Sequence, residues 1–150
     1  MTFYPKLLAA AVGTLLACGS ADAATIGNCV PTGTKYSGDT TTRSVASMTY
    51  KNIPGSVVNF TQATAGCVIV TFSTRVGGDT GIFKLRPVLT GEPDVPFPAE
   101  MMLRFPSTSS VTAVFVFHNV AAGAHSLRMQ WSTDAMIETS DTLTMVQYVK

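Results

Sequence analysis

Hydrophobic residues in this chain recur in short runs that fit extended strands. From Val111 to Phe117 nearly every residue is apolar, a pattern typical of a strand buried on both faces. The run 126–131 alternates instead, with Leu127, Met129 and Trp131 on one side. Residues 119–123 between them have turn composition and end in a glycine. The pattern therefore predicts a β-hairpin over residues 111–131, at the centre of the fold.

A second alternating stretch predicts another hairpin. Residues 67–75 place Val68, Val70 and Phe72 on one side, and residues 77–81 are almost pure turn sequence. We therefore expect residues 67–75 and 82–89 to pair. The Asp-Thr-Gly at positions 79–81 matches the aspartic-protease signature, but that chemistry needs two carboxylates and the sequence holds no second copy. We interpret it as the tip of the turn.

The spacing of the strands predicts the fold class. Further strands are expected at residues 44–51, 56–61, 101–105 and 143–149. Eight short strands with turn signals every roughly 8–12 residues are typical of an all-β, antiparallel two-sheet β-sandwich. We place this domain at residues 40–150, after an irregular lead-in at residues 24–39. Eight strands suit a jelly roll. An immunoglobulin-like Greek key is the alternative, and it fits Cys29 less well because Cys29 precedes every convincing strand.

The N-terminal segment is predicted to direct export. Residues 1–23 contain one early lysine, an apolar run and a small-residue end with Ala21 and Ala23, as in a cleaved secretory signal peptide. Alternatively, residues 15–18 resemble a bacterial lipobox, which would make Cys18 the lipidated first residue of an envelope lipoprotein. No second long apolar run follows, so we expect no transmembrane span in the mature chain.

Charge and cysteine content narrow the possible partners. The chain has 10 Lys and Arg against 9 Asp and Glu, so it lacks the basic surface that nucleic acid requires. Cys29 and Cys67 are expected to form a structural disulfide in an exported protein. No cofactor is implied. The expected location is secreted or periplasmic, with attachment to the cell envelope as the alternative.

Two histidines are the main candidates for metal binding or acid–base chemistry. His118 and His125 flank the turn of the predicted central hairpin, where they could face each other and bind a metal. A third ligand would have to come from Asp134, Glu138 or Asp141. The alternative interpretation is that both are polar residues at the rim of a turn. No G-x-S-x-G motif accompanies them, so a histidine-dependent hydrolase is a minor hypothesis.

A proline-rich segment is the candidate recognition surface. Residues 90–98 contain three prolines, and Glu92, Pro93, Asp94 and Phe97 are its most distinctive members. Loops held by a rigid sandwich commonly carry binding residues, and a phenylalanine between prolines would present a pre-ordered apolar contact. The expected ligand is an unidentified protein or glycan.

Two families share parts of this pattern. The segments CVIVTFS at 67–73 and AGAHSLRMQW at 122–131, with the ending 143–148, resemble uncharacterised bacterial secreted proteins and phage-tail-associated modules. That resemblance implies a sandwich and a bacterial source, and no activity. The leader, the early cysteine pair and Tyr148 near the C-terminus are similar to fimbrial pilins, although the glycine expected before a pilin's last strand is missing.

These observations favour a secreted, non-catalytic binding or structural module. A self-assembling, pilin-like surface subunit joined by donor-strand exchange is one alternative, and it would make the protein a homo-oligomer. A lipid-anchored envelope component and a metal- or histidine-dependent hydrolase are the others.

Overall fold

Ten β-strands form the architecture of the computed structural model, which describes residues 29–91, 95–105 and 108–150. The predicted signal peptide with Cys18, and the loop residues Glu92, Pro93 and Asp94, lie outside these ranges. The strands are β1 Gly33–Asp39, β2 Arg43–Val45, β3 Lys51–Asn52, β4 Val58–Gln62, β5 Gly66–Gly78, β6 Gly81–Leu89, β7 Met101–Phe105, β8 Ser109–Val120, β9 Gly123–Thr133 and β10 Ile137–Tyr148. Within the described ranges, no helix is long and apolar enough to cross a membrane.

The strands form two antiparallel sheets packed face to face, as predicted. Sheet I has the order β1-β10-β5-β8, with β2 also paired to β10. Sheet II has the order β3-β9-β6-β7, with β4 also paired to β9. Because β1 and β2 pair with opposite halves of β10, and β3 and β4 with opposite halves of β9, the ten strands fill eight positions.

The strand order is that of a jelly roll. The first position, which β1 and β2 share, pairs with the last strand, β10. The second position, which β3 and β4 share, pairs with β9. Strand β5 then pairs with β8, and β6 pairs with β7. This is the pairing of one long hairpin rolled into two sheets. The predicted count of eight strands is therefore corrected to ten, since the first two positions are each broken in two.

Three boundaries differ from the predictions at the chain ends. The lead-in was expected to be irregular, but residues 33–39 form β1, because pairing with β10 supplies the order that their glycine-containing, polar composition does not. The strand expected at 44–51 is interrupted between β2 and β3. The last strand, β10, begins at Ile137, and its pairing with β5 contains a bulge between Ser140 and Leu143.

Both predicted hairpins are wrong. Strands β8 and β9 lie in different sheets, and so do β5 and β6. Their short turns carry the chain from one sheet to the other, and Gly78 adopts a φ of 117° at one of these crossings. Among the described strands, β6 and β7 are the one hydrogen-bonded pair that is also consecutive in the chain. The connection between them contains the proline-rich segment.

The core lies between the sheets and is rich in aromatic residues. Phe72 and Phe115 from sheet I are completely buried, as is Phe83 from sheet II. Trp131 is only 3% exposed and packs edge-on against Phe83, with ring centroids 6.3 Å apart. This burial excludes Trp131 as an exposed carbohydrate platform. Val114 was expected to be buried, but it is 47% exposed because β8 alternates along this part of its length.

The predicted disulfide between Cys29 and Cys67 is present, with Cα atoms 5.5 Å apart. Cys67 precedes the inward-facing Val68 on β5, so its side chain leaves the outer face of sheet I. The bond therefore ties the segment before β1 to the outside of the sandwich.

Candidate functional site

The two candidate histidines lie in different sheets. His118 is on β8 in sheet I, between Phe117 and Val120, where the pairing of β8 with β5 is irregular. His125 is on β9, on the same side as the core residues, and its Nε2 lies 2.9 Å from the Ala121 carbonyl oxygen. Its ring also packs against Phe60, with centroids 5.3 Å apart. The facing pair predicted from a hairpin is wrong, because β8 and β9 form no hairpin.

The surroundings of the histidines do not assemble a metal site. No group of three or more His, Cys, Asp or Glu side chains comes together in the ranges 29–91, 95–105 and 108–150. His125 lines a cleft of about 400 Å³ at one end of the sandwich, together with Lys35 and Asn59. The described part of the molecule thus gives neither histidine a third ligand from Asp134, Glu138 or Asp141.

Phe97 has a defined position on the sandwich. Its backbone N–H donates to the Val116 carbonyl at 2.8 Å, and the Val116 N–H donates back at 2.9 Å. This antiparallel bridge adds Phe97 to the outer edge of β8. Directly opposed residues project to the same side of a sheet, so Phe97 stands beside Val116 on the outer face of sheet I. Its side chain is 63% exposed.

The outer face of sheet I, including Phe97, carries a broad surface without charge. Three neighbouring cross-strand rows cover its centre. In strand order they are Thr34, Gln147, Ile69, Val116 and Phe97; Tyr36, Met145, Thr71 and Val114; and Gly38, Leu143, Ser73 and Thr112. None of these thirteen positions is Asp, Glu, Lys, Arg or His. We call this set the neutral face.

Large apolar side chains are exposed on the neutral face. Tyr36 is 77% exposed, Val114 47% and Leu143 44%. Between them the surface carries hydroxyl groups, two of which bond to each other, with Ser73 Oγ 3.1 Å from Thr112 Oγ1. A contiguous apolar patch on a protein surface is a common mark of an interaction site.

Charged groups begin at the rim of the neutral face. Arg75 on β5 and Glu138 on β10 lie beyond the Ser73 row, at the end of the sheet opposite the disulfide. At the break between β1 and β2, Arg43 forms an ion pair with Asp39 at 2.8 Å, and because these residues oppose the buried Thr139 and Thr142 they lie on the inner side of the sheet edge. Hydrogen bonds from Arg43 first, and then from Thr41, hold the pKa of Asp39 at about 2. Arg75 and Glu138 thus border the neutral face at one end, and no charged side chain lies among its thirteen positions.

The outer face of sheet II has the opposite character, and we call it the charged face. Strand alternation puts the cations of β6, β7 and β9 on its outer side: Lys84, Arg86, Arg104 and Arg128. The Arg86 guanidinium lies 3.8 Å from the centroid of the Tyr50 ring. Its Nε donates to Gln130 Oε1 at 2.9 Å, and Gln130 Nε2 donates to Asn52 Oδ1 at 2.9 Å.

Tyr50 connects this network to the β6–β7 connection, just after the proline-rich segment. Its hydroxyl donates to Glu100 Oε2, which lies just before β7. Burial of the phenol, and then this hydrogen bond, raise the pKa of Tyr50 to about 12. A cleft of about 310 Å³ opens between β6 and the segment, lined by Arg86, Val95 and Glu100 among others. The connection between β6 and β7 therefore contacts both outer faces, through Glu100 on one side and Phe97 on the other.

Sequence reasoning identified one residue of the neutral face and missed the others. Phe97 was a candidate because prolines flank it in the sequence. Tyr36 was assigned to an irregular lead-in, and Val114 to the core. One available signal was the uncharged outward set of the strand at 67–75, where Ile69, Thr71 and Ser73 stand where a solvated sheet usually carries charge.

The chain matches no protein-family model and no curated protein. The resemblances to secreted or phage-tail-associated modules and to pilins gain no support from these comparisons. The fold and the geometry of the two outer faces therefore carry the functional argument.

Proposed function

We propose that this protein is an exported, non-catalytic binding or structural module that engages a partner through the neutral face. The observation that carries the proposal is the set of thirteen uncharged positions, with Tyr36, Phe97, Val114 and Leu143 exposed among them. An antiparallel sheet that faces water normally alternates apolar and polar positions. The charged face of the same molecule follows that rule, and the neutral face departs from it.

Export is supported by the disulfide. Disulfides persist in oxidising compartments, and the Cys29–Cys67 bond suits a secreted or periplasmic protein. Lipid attachment at Cys18 would instead tether the same domain to the envelope. Intact mass of the natively exported protein, taken from soluble and membrane fractions, separates the two. A species that begins near Ala24 and gains two hydrogens on reduction supports secretion, whereas a diacylated Cys18 overturns it.

Covalent footprinting tests the role of the neutral face. Tyr36 and Leu143 should react less with hydroxyl radicals in the native exported mixture than in the purified, diluted protein, because a bound partner covers them. Met102 is the matched control, since it is 55% exposed on β7 of the other sheet and should react equally in both samples.

Substitution of a central residue gives the second arm of this test. Thr71→Lys places a charge in the middle row and should abolish the protection of Tyr36, because a desolvated lysine disfavours an apolar contact. Equal labelling of Tyr36 in the native and the diluted wild-type samples would contradict the proposal.

A further inference from the structure

We infer that the partner of the neutral face is a second copy of this chain, packed face to face about a two-fold axis. The inference rests on the proposed function and names its partner. Three features of the described residues support it: the absence of charge, the area of the face, and the arrangement of the rim charges.

The absence of charge suits contact between identical surfaces. In a two-fold interface, both copies present the same patch, so a charge near the axis meets its own copy. Such like-charge contacts are costly, and the thirteen positions of the neutral face contain none. A different protein partner is usually selected through complementary charge, which the centre of this face does not offer.

The area of the neutral face suits a weak, reversible dimer. Five extended segments side by side span about 24 Å, and three rows along the strands span about 20 Å. Because only the first row includes the fifth segment, the thirteen positions cover about 420 Å² per copy, or about 850 Å² for two copies, which is the size of a weak, reversible interface. Side-chain relief adds to this figure. Two sheets can pack in this way with their strands aligned, as they do inside a sandwich.

The charges at the rim determine the direction of the axis. An axis parallel to the strands, between β10 and β5, places β5 of one copy over β10 of the other. Arg75 on β5 then lies near Glu138 on β10 of the second copy, and the reciprocal pair forms by symmetry. The same operation sets the exposed Tyr36 of one copy over Val114 of the other. A perpendicular axis would instead place Arg75 against the opposite end of the face, where the strands of sheet I carry no acidic residue, so we choose the parallel axis.

Sedimentation velocity of the purified, disulfide-bonded protein tests the dimer directly. We expect a monomer–dimer equilibrium in the micromolar range, in keeping with a small interface. Thr71→Lys should raise the dimer dissociation constant at least about 100-fold, because it sets two lysines against each other near the axis. Thr61→Lys is the matched control: it makes the same change at an exposed position on β4 of sheet II and should leave the constant unchanged.

A charge exchange tests the position of the axis. Arg75→Glu and Glu138→Arg should each weaken the dimer, because each sets like charges together, and the double variant should restore it. Circular dichroism confirms that each variant is folded. Failure of the double variant to restore association overturns the axis, and a strictly monomeric wild-type protein overturns the dimer. If the purified protein is monomeric while Tyr36 is still protected in the native exported mixture, the partner is another molecule. That result refutes the second copy and leaves the proposed function standing.

Discussion

The two outer faces of this sandwich are built on the same strand alternation and carry opposite chemistry. The charged face carries four outward cations and a hydrogen-bonded chain from Asn52 through Gln130 to Arg86. The neutral face has none of these groups at its centre. Because the fold requires only the inner faces to be apolar, the composition of an outer face is free to vary. An outer face that lacks the charged residues of a solvent-exposed sheet, while the other outer face has them, is therefore informative about what it contacts.

The largest expected effect comes from the covalent bond beside the neutral face. Replacing both Cys29 and Cys67 with alanine should lower the free energy of unfolding by about 3–4 kcal/mol, because the closed loop restricts the unfolded chain. Urea unfolding of the variant and the oxidised wild type measures this difference. A loss below about 1 kcal/mol would show that the segment before β1 is held to the sheet by other contacts.

A loss of stability of intermediate size should distinguish the two faces, because side-chain interactions link the residues of the charged face more extensively. Arg86→Met removes the contact with Tyr50 and the hydrogen bond to Gln130, and should destabilise the fold by about 1–2 kcal/mol. Thr71→Met makes a comparable change to the neutral face and should alter stability by less than about 0.5 kcal/mol. Thermal unfolding at a concentration where the protein is monomeric gives both values. Equal losses for the two variants would remove the distinction.

The smallest effect is a titration confined to the charged face. The phenol of Tyr50 should ionise near pH 12, above its ordinary value of 10.0. The folded state therefore holds this proton more tightly than the unfolded chain does. The stabilisation is complete below pH 10 and is lost as the pH rises towards 12.

Phenolate absorbance measures this ionisation, and Tyr50→Phe identifies the signal by removing it. Glu100→Gln should lower the pKa of Tyr50 without restoring the ordinary value, since burial is the larger cause. An unchanged pKa in the Glu100 variant would show that the hydrogen bond from Tyr50 does not link the proline-rich segment to this face.

The sequence was sufficient for the architecture and insufficient for the pairing of its strands. Regular turn spacing predicted the sandwich, and the strand count favoured a jelly roll. The glycine-rich turn at 77–81 and the turn before β9 were both assigned to hairpins. A short turn reverses the chain equally well within a sheet or between two sheets, and alternation is the same in both cases. The pairing depends on which apolar faces meet in the core, which local patterns do not encode.

The candidate site was predicted only where composition alone was distinctive. The prolines around Phe97 made this segment a candidate for recognition, and the structure adds Phe97 to an edge of sheet I. Tyr36 and Met145 meet only because β1 pairs with β10, more than a hundred residues later in the chain. Such a surface has no local motif, since its rows are assembled across the sheet. The histidine pair failed for the related reason that neighbours in sequence were separated into two sheets.

The division of the first strand position into β1 and β2 limits how the molecule can aggregate. A continuous exposed edge would offer a long ladder of backbone groups, along which further copies could add without end. Here that edge is broken after Asp39 and resumes for only three residues from Arg43. At the far side of sheet I, Phe97 already occupies the backbone groups of Val116. In the proposed dimer, stacking by faces closes after two copies, while growth by edges into fibrils is obstructed on both sides of sheet I.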